Sequence, residues 1–403
     1  MYFLLCLSGL LLIIVVLLGC GNDISKQVAS VSLSKRYVYM LGFWTAVGYV
    51  PLFWAILLTL LKTGAAPWSL GRTPFQLKYM WQPNGHLPPA LLIVLAAFGD
   101  ALGDVIGAIC TSHVSGPLHS LVSNCSSIFV ALLSMCMLHQ RYSFFQVTSL
   151  LGVFFAVVIG ILPSFESDAT GSNPFFAVVL GGSCVFNAFA FVVKELIFTR
   201  YKTWRASENH LEGGASLNML LEPISEGFLI NSHEAIFQLP LTLLLIPLNV
   251  MLKQTSEGNL FHYLQEAMRC VFSGDAASCG PDSSHGELAG RCLLVYVVFN
   301  LLMNMGILLA VKHAGALATF VALKAIFPVS TVLFEYVDWP LLPRRGYSHL
   351  IWVSMAILLP SIACYQWASQ LQAARAQVHP SFASCCWPWR KKDADLGSEL
   401  MLS

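Results

Sequence analysis

The sequence predicts an all-α polytopic membrane protein, with ten transmembrane helices arranged as two inverted five-helix repeats. Three observations carry that prediction. Of the 403 residues, 56% are hydrophobic and only 11% charged, where a soluble domain carries about 25% charged residues. The apolar residues gather into stretches of roughly 20, the length a helix needs to cross about 30 Å of hydrocarbon. Finally, the polar pair Asp100 and Asp104 is answered by Asn300 and Asn304, each pair followed by a small residue, Gly116 and Gly315.

The expected spans are 2–21, 36–61, 87–112, 115–138, 143–163, 174–199, 228–252, 292–312, 315–337 and 347–370. Residues 1–163 form the first five-helix repeat and 174–370 the second, with a lumenal cysteine-containing loop at 253–291 and a cytosolic tail at 371–403. An odd number of spans per half forces the second copy to insert upside down, the plan of transporters whose substrate site lies where the halves meet. With both termini cytosolic, Lys and Arg are more numerous on the cytosolic side. Lys194 falls on that side and Lys26 on the opposite one.

The first span, "MYFLLCLSGLLLIIVVLLGCG", has a signal sequence as its alternative. A signal sequence wants a basic start, and no Lys or Arg precedes Lys26. An apolar opening so close to the first residue also suggests a truncated N-terminus. The second span, "YVYMLGFWTAVGYVPLFWAILLTLL", is apolar and aromatic throughout.

The third holds "FGDALGDVIG", in which Asp100 and Asp104 share one helix face. Ionisable groups at membrane depth cost at least ~2.5 kcal/mol each and usually mark a pathway. Two close carboxylates resist joint ionisation, so the pair is expected to hold one proton near neutral pH. Structural hydrogen bonding to neighbouring helices is the alternative. Gly99, Gly103 and Gly107 repeat the spacing and form a thin ridge for close helix packing.

The fourth span sets Ser112, Ser115, His119, Ser123, Ser126, Ser127 and Ser134 near one stripe, either a wet cavity wall or ordinary small-residue packing. Asn124 matches the glycosylation pattern, but it lies in mid-span and is expected to stay unmodified. The fifth, sixth and seventh spans are apolar runs, the sixth ending in "KELIF". The loop beyond the seventh contains a helical-looking "HYLQEAMRC" and Cys270, Cys279 and Cys292, an odd number in a compartment where disulfides form. After the eighth span, the ninth places Lys324, Thr331 and Glu335 on one face around Pro328. Lys324 is too deep to snorkel and needs a partner: Asp100, Asp104, a substrate or a purely structural counter-ion. In the tail, Cys385 and Cys386 beside aromatic and basic residues form a weak palmitoylation pattern.

A net charge of +1 argues against nucleic acid as a partner, and no GxxxxGK[ST] motif supports a nucleotide-driven pump. No cofactor or metal is expected, nor an obligate protein partner. An intramembrane aspartyl protease is a remote alternative, since its aspartates must face each other from two helices and these share one. The reading is therefore a non-enzyme.

From about Phe98 to Trp367 the chain resembles the chloroquine resistance transporter family of the drug/metabolite transporter superfamily. The likeness is carried by "GDALGD", "HQRYSFFQVTSLLGV", "KELIFTRYKTW", "EAIFQLPLTLLLIPL", "VFNLLMNMG" and "KHAGALATFVALKAIFP" in that order. The resemblance implies a central cavity and proton-coupled export of small solutes from an acidic vacuole or lysosome-like organelle. Substrates in the family range over basic amino acids, small peptides and amine drugs. A glutathione-type thiol carrier of a plastid-like membrane is the alternative.

Asp100, Glu195, Asn300, Asn304 and Pro328 match family residues, whereas Asp104 stands where the malaria protein has an apolar residue. Met303 and Ser127 depart from a family aspartate and proline, and the family's drug-determining lysine falls near Asn22 and Asp23. Asp100, Asp104 and Glu195 are thus the proton-coupling candidates. Asn22, Asp23, His119, Ser123, Asn124, Ser127, Asn300, Asn304, Lys324 and Thr331 are the cavity candidates. The family's loop also implies a Cys270–Cys292 bridge, with Cys279 left over.

Overall fold

A computed structural model describes residues 2–63, 88–166, 173–212, 222–251, 260–274, 279–280, 285–314, 316–339, 341–342 and 349–378. Gly315 and the cysteines at 385 and 386 lie outside them. The long helices are α1 (Tyr2–Ser32), α2 (Met40–Lys62), α3 (Pro89–Thr111), α4 (Gly116–Ser123), α5 (Ser126–Met137) and α6 (Phe144–Ile161). They continue with α7 (Pro174–Glu212), α8 (Glu222–Leu244), α9 (Leu260–Ser273), α10 (Ala289–Ala314), α11 (Ala316–Tyr336) and α12 (His349–Val378). Among the described residues no strand occurs, and eight stretches are long and apolar enough to cross a membrane: Gly9–Ser32, Ser34–Lys62, Ala90–Thr111, Gly116–Met137, Phe144–Ile161, Pro174–Ile197, Gly286–Ile307 and His349–Ser369.

The expected spans at 228–252 and 315–337 are not among the eight, although α8 and α11 run through them. The middle of α8 carries Ser232, His233, Glu234 and Gln238, all buried. A helix with that much polarity is stable at membrane depth when protein surrounds it.

Two boundaries move. The first helix does not stop at residue 21 but continues to Ser32, so Asn22, Asp23 and Lys26 lie on a regular helix. The fourth span breaks between α4 and α5. There the Asn124 side-chain amide donates to the Ser120 carbonyl, the acceptor that its own backbone N–H would normally use, and that N–H turns to Leu121 instead. A side chain competing with the backbone in this way opens a helix.

Packing is tightest between α1 and α10, α3 and α7, and α6 and α12, with α8 lying against both α2 and α3. The α3–α7 contact rests on glycine. A Cβ at Gly99 would stand 2.9 Å from the Phe186 carbonyl oxygen, and one at Gly103 would collide with the Asn187 side chain. Gly107, the third member of the ridge, meets nothing and is not part of this contact.

The helical stretch read in the loop is α9, joined to the corner after α1. Arg36 pairs with Glu266 at 3.0 Å, the Tyr37 hydroxyl donates to the same carboxylate, and the Tyr263 hydroxyl donates to the Arg36 carbonyl. The disulfide differs from the expected one. Cys270 bonds Cys279, and Cys292, on the first turn of α10, is a free thiol. Cys270 lies in the last turn of α9, which ends at Ser273, and Gly274 follows with a positive φ of 66°.

Candidate functional site

Three polar groups meet inside the helix bundle, all in the middle of helices where lipid could not satisfy them. The first is on α3. Asp100 stands eleven residues from either end, roughly 16 Å along the axis, and its Oδ2 accepts a 2.6 Å bond from Lys194 Nζ of α7. The same ammonium lies 2.9 Å from Glu234 Oε1 of α8. Side-chain exposure is 22% for Asp100 and Lys194 but 4% for Glu234. One cation thus ties three helices together between two carboxylates.

One turn further along, Asp104 accepts from Gln238 Nε2 of α8 at 3.2 Å. Asp104 is exposed although its neighbours Gly103 and Val105 are buried. Lys26 of α1, Tyr49 of α2, Lys194 of α7 and Tyr296 of α10 all lie close enough to interact with its charge. A carboxylate that is accessible and yet ringed by five helices borders a space within the bundle.

The second group joins α1 to α4. Asp23 Oδ2 accepts from the Ser120 hydroxyl at 2.7 Å, and Lys26 Nζ lies 3.3 Å from His119 Nε2. The third links α10 to α1 and α2. Asn300 donates to Asn22 Oδ1 at 3.2 Å and accepts from the Tyr49 hydroxyl, to which Asn304 donates at 2.9 Å.

Of the sequence candidates, Asp100, Asp104, Asn22, Asp23, His119, Asn300 and Asn304 thus belong to these three groups. Other candidates stand apart. Glu195 is exposed and accepts from Gln140 at 2.9 Å, away from the aspartates. Successive helix positions are about 100° apart, so with Lys194 turned inward its neighbour turns away. Lys324 has Cys125 and Cys184 among its electrostatic neighbours. The Ser123 and Thr331 hydroxyls bond the carbonyls of His119 and Phe327 on their own helices, and Asn124 holds the α4–α5 break. Ser127 opens α5 half-buried.

Sequence reasoning missed Glu234, Gln238, Tyr49 and Ser120, and it misplaced two lysines. Glu234 offered the same signal as Asp100, an ionisable residue inside an apolar run. The positive-inside reading counts Lys194 with the cytosolic charges. Lys26 was assigned to the opposite flank because the first helix was cut short. Both lie inside stretches long and apolar enough to cross a membrane.

As for chemistry, the Asp100 and Glu234 carboxylates share the Lys194 ammonium and lie within hydrogen-bond reach of each other. The arrangement suits binding and exchange of charge between helices.

A family model described as CRT-like, chloroquine-resistance transporter-like, matches residues 9–340. Crt homolog 2 of Dictyostelium discoideum is 26% identical over 390 residues, 87% of this chain and 74% of that protein. The chloroplastic protein CLT2 of Arabidopsis thaliana is 24% identical over 325 residues, 80% of this chain and 67% of its own length. The chloroquine resistance transporter of Toxoplasma gondii is 25% identical over 303 residues, which are 72% of this chain but 30% of that longer protein.

Proposed function

The chain belongs to the CRT-like, chloroquine-resistance transporter-like family of integral membrane transporters, and from that premise we propose that it is a proton-coupled secondary carrier. It exports small cationic or zwitterionic organic solutes, such as basic amino acids, small peptides and amines, from an acidic organelle lumen to the cytosol by alternating access. The observation that carries the reading is the exposed Asp104 beside the Lys194 bridge between Asp100 and Glu234. Protonating one carboxylate of that bridge leaves Lys194 bound to the other, so a proton changes which helices are held together. That is the element a proton-driven rocking motion requires.

Ten spans in two inverted repeats belong to the same proposal, and the packing supports them. Exchanging α1 with α7, α2 with α8, α3 with α10, α4 and α5 with α11, and α6 with α12 turns the α1–α10 contact into the α7–α3 contact. It returns α2–α8 and α6–α12 to themselves. The polar partners follow the same exchange. Asp100 meets Lys194 of α7 as Asn300 meets Asn22 of α1, and Asp104 meets Gln238 of α8 as Asn304 meets Tyr49 of α2. On this reading a duplicated scaffold kept carboxylates in one half and amides in the other.

The membrane is an organellar one, vacuolar or lysosome-like. A plastid membrane and a glutathione-type thiol substrate form the second reading, favoured by the similarity to chloroplastic relatives.

The test is uptake of labelled arginine, a chloroquine-like amine and glutathione into proteoliposomes, with and without an acid gradient, for the wild type, Asp100→Asn and Asp104→Asn. Gradient-driven arginine or amine flux that falls at least tenfold in either variant is expected. Glutathione flux alone selects the thiol carrier, and gradient-driven flux untouched by both variants removes the aspartates from the coupling.

A further inference from the structure

Within the central space, Lys26 and Asp104 share an unusual property. Every other charge there has a direct partner of opposite sign or a hydroxyl: Asp100 and Glu234 hold Lys194, and Asp23 holds Ser120. Lys26 has only the ring nitrogen of His119, and Asp104 only the amide of Gln238. Neither forms an ion pair with any described residue, although each lies within electrostatic reach of the other. A lysine on α1 and an aspartate on α3 thus face a common space with their charges unmatched by contact.

From this arrangement we infer that Lys26 and Asp104 are the two ends of a substrate clamp for α-amino acids and short peptides with a free carboxylate. The inference rests on the proposed transport of small cationic or zwitterionic solutes and narrows it to zwitterions. The substrate's ammonium docks on Asp104, the accessible carboxylate, with Tyr49 and Tyr296 alongside. Its carboxylate docks on Lys26, whose three N–H donors exceed what His119 can accept. A gap too wide for direct pairing is filled by a molecule carrying opposite charges one or a few bonds apart. Such a ligand satisfies both groups at once, whereas a simple amine would leave Lys26 facing an added positive charge.

The wild-type chain in proteoliposomes tests this with three probes: labelled arginine, agmatine, which is arginine without its carboxylate, and Nα-acetylarginine, which lacks the α-ammonium. Arginine is expected to outrun both analogues by at least about tenfold, the worth of one charge-assisted contact. In Lys26→Met the arginine-to-agmatine ratio is expected to fall towards one, while Lys26→Arg keeps it. Agmatine carried as fast as arginine by the wild type overturns the clamp and leaves cation transport standing. Flux of none of the three overturns the clamp and the proposed substrate class together. If Lys26→Met does not fold, the wild-type series and Lys26→Arg still decide the matter.

Discussion

Replacing Lys194 by methionine should destabilise the fold more than removing all three charges of its cluster. Lys194 lies 2.6 Å from Asp100 and 2.9 Å from Glu234. At an effective dielectric near 20 each contact is a gross attraction of roughly 6 kcal/mol. Most of that is offset by desolvation of the three groups and by repulsion between the carboxylates. Lys194→Met deletes the attraction but leaves two carboxylates, one of them only 4% exposed, with no compensating charge. Breaking a buried pair in this way costs about 3–5 kcal/mol. Because Asp100 keeps 22% exposure, a value near 3 kcal/mol is expected. The triple variant Lys194→Met/Asp100→Asn/Glu234→Gln removes the stranded charge along with the pair, and it should recover to within about 1 kcal/mol of the wild type. Equilibrium unfolding in mixed micelles with increasing sodium dodecyl sulfate, read by tryptophan fluorescence, supplies the numbers. A single variant as stable as the wild type, or a triple variant no better than the single one, would refute the assignment of Lys194 as the bridge.

Three further outcomes are expected. Gly103→Ala forces a methyl group into Asn187 and should cost about 1–3 kcal/mol by overpacking, whereas Gly107→Ala meets nothing and should stay within about 0.5 kcal/mol; the same unfolding titration distinguishes them. Non-reducing peptide mapping should recover Cys270 joined to Cys279 and Cys292 alkylated, and a Cys270–Cys292 peptide would contradict the structure. Tyr49→Phe removes the hydroxyl shared by Asn300 and Asn304 and should cost about 1–3 kcal/mol for the partners left behind; the stability of Tyr49→Phe/Asn304→Leu checks whether those amides are the cause.

The amino-acid sequence by itself determined that the chain lives in a bilayer, because 11% charged residues and repeated apolar runs satisfy only one solvent. It also marked Asp100, Asp104, Asn300 and Asn304, since a polar group in an apolar run is expensive wherever the helix turns out to pack. Spacing within one helix is local, and so the shared face of each pair could be read directly. Partnership between helices is not local. Glu195 and Lys194 are neighbours in the chain, and only the rotation of α7 against α3 decided that the lysine turns inward. Lys26 looked like a flanking charge until the continuation of α1 to Ser32 carried it inside, and only the packing shows that Cys125 and Cys184 are among the electrostatic neighbours of Lys324. Cysteine pairing followed the same rule: Cys270, Cys279 and Cys292 allow more than one bridge, and the fold joins Cys270 to Cys279. Composition fixes which groups must avoid lipid, but a contact energy depends on a few ångströms of separation, and those are set by how the helices rotate and pack.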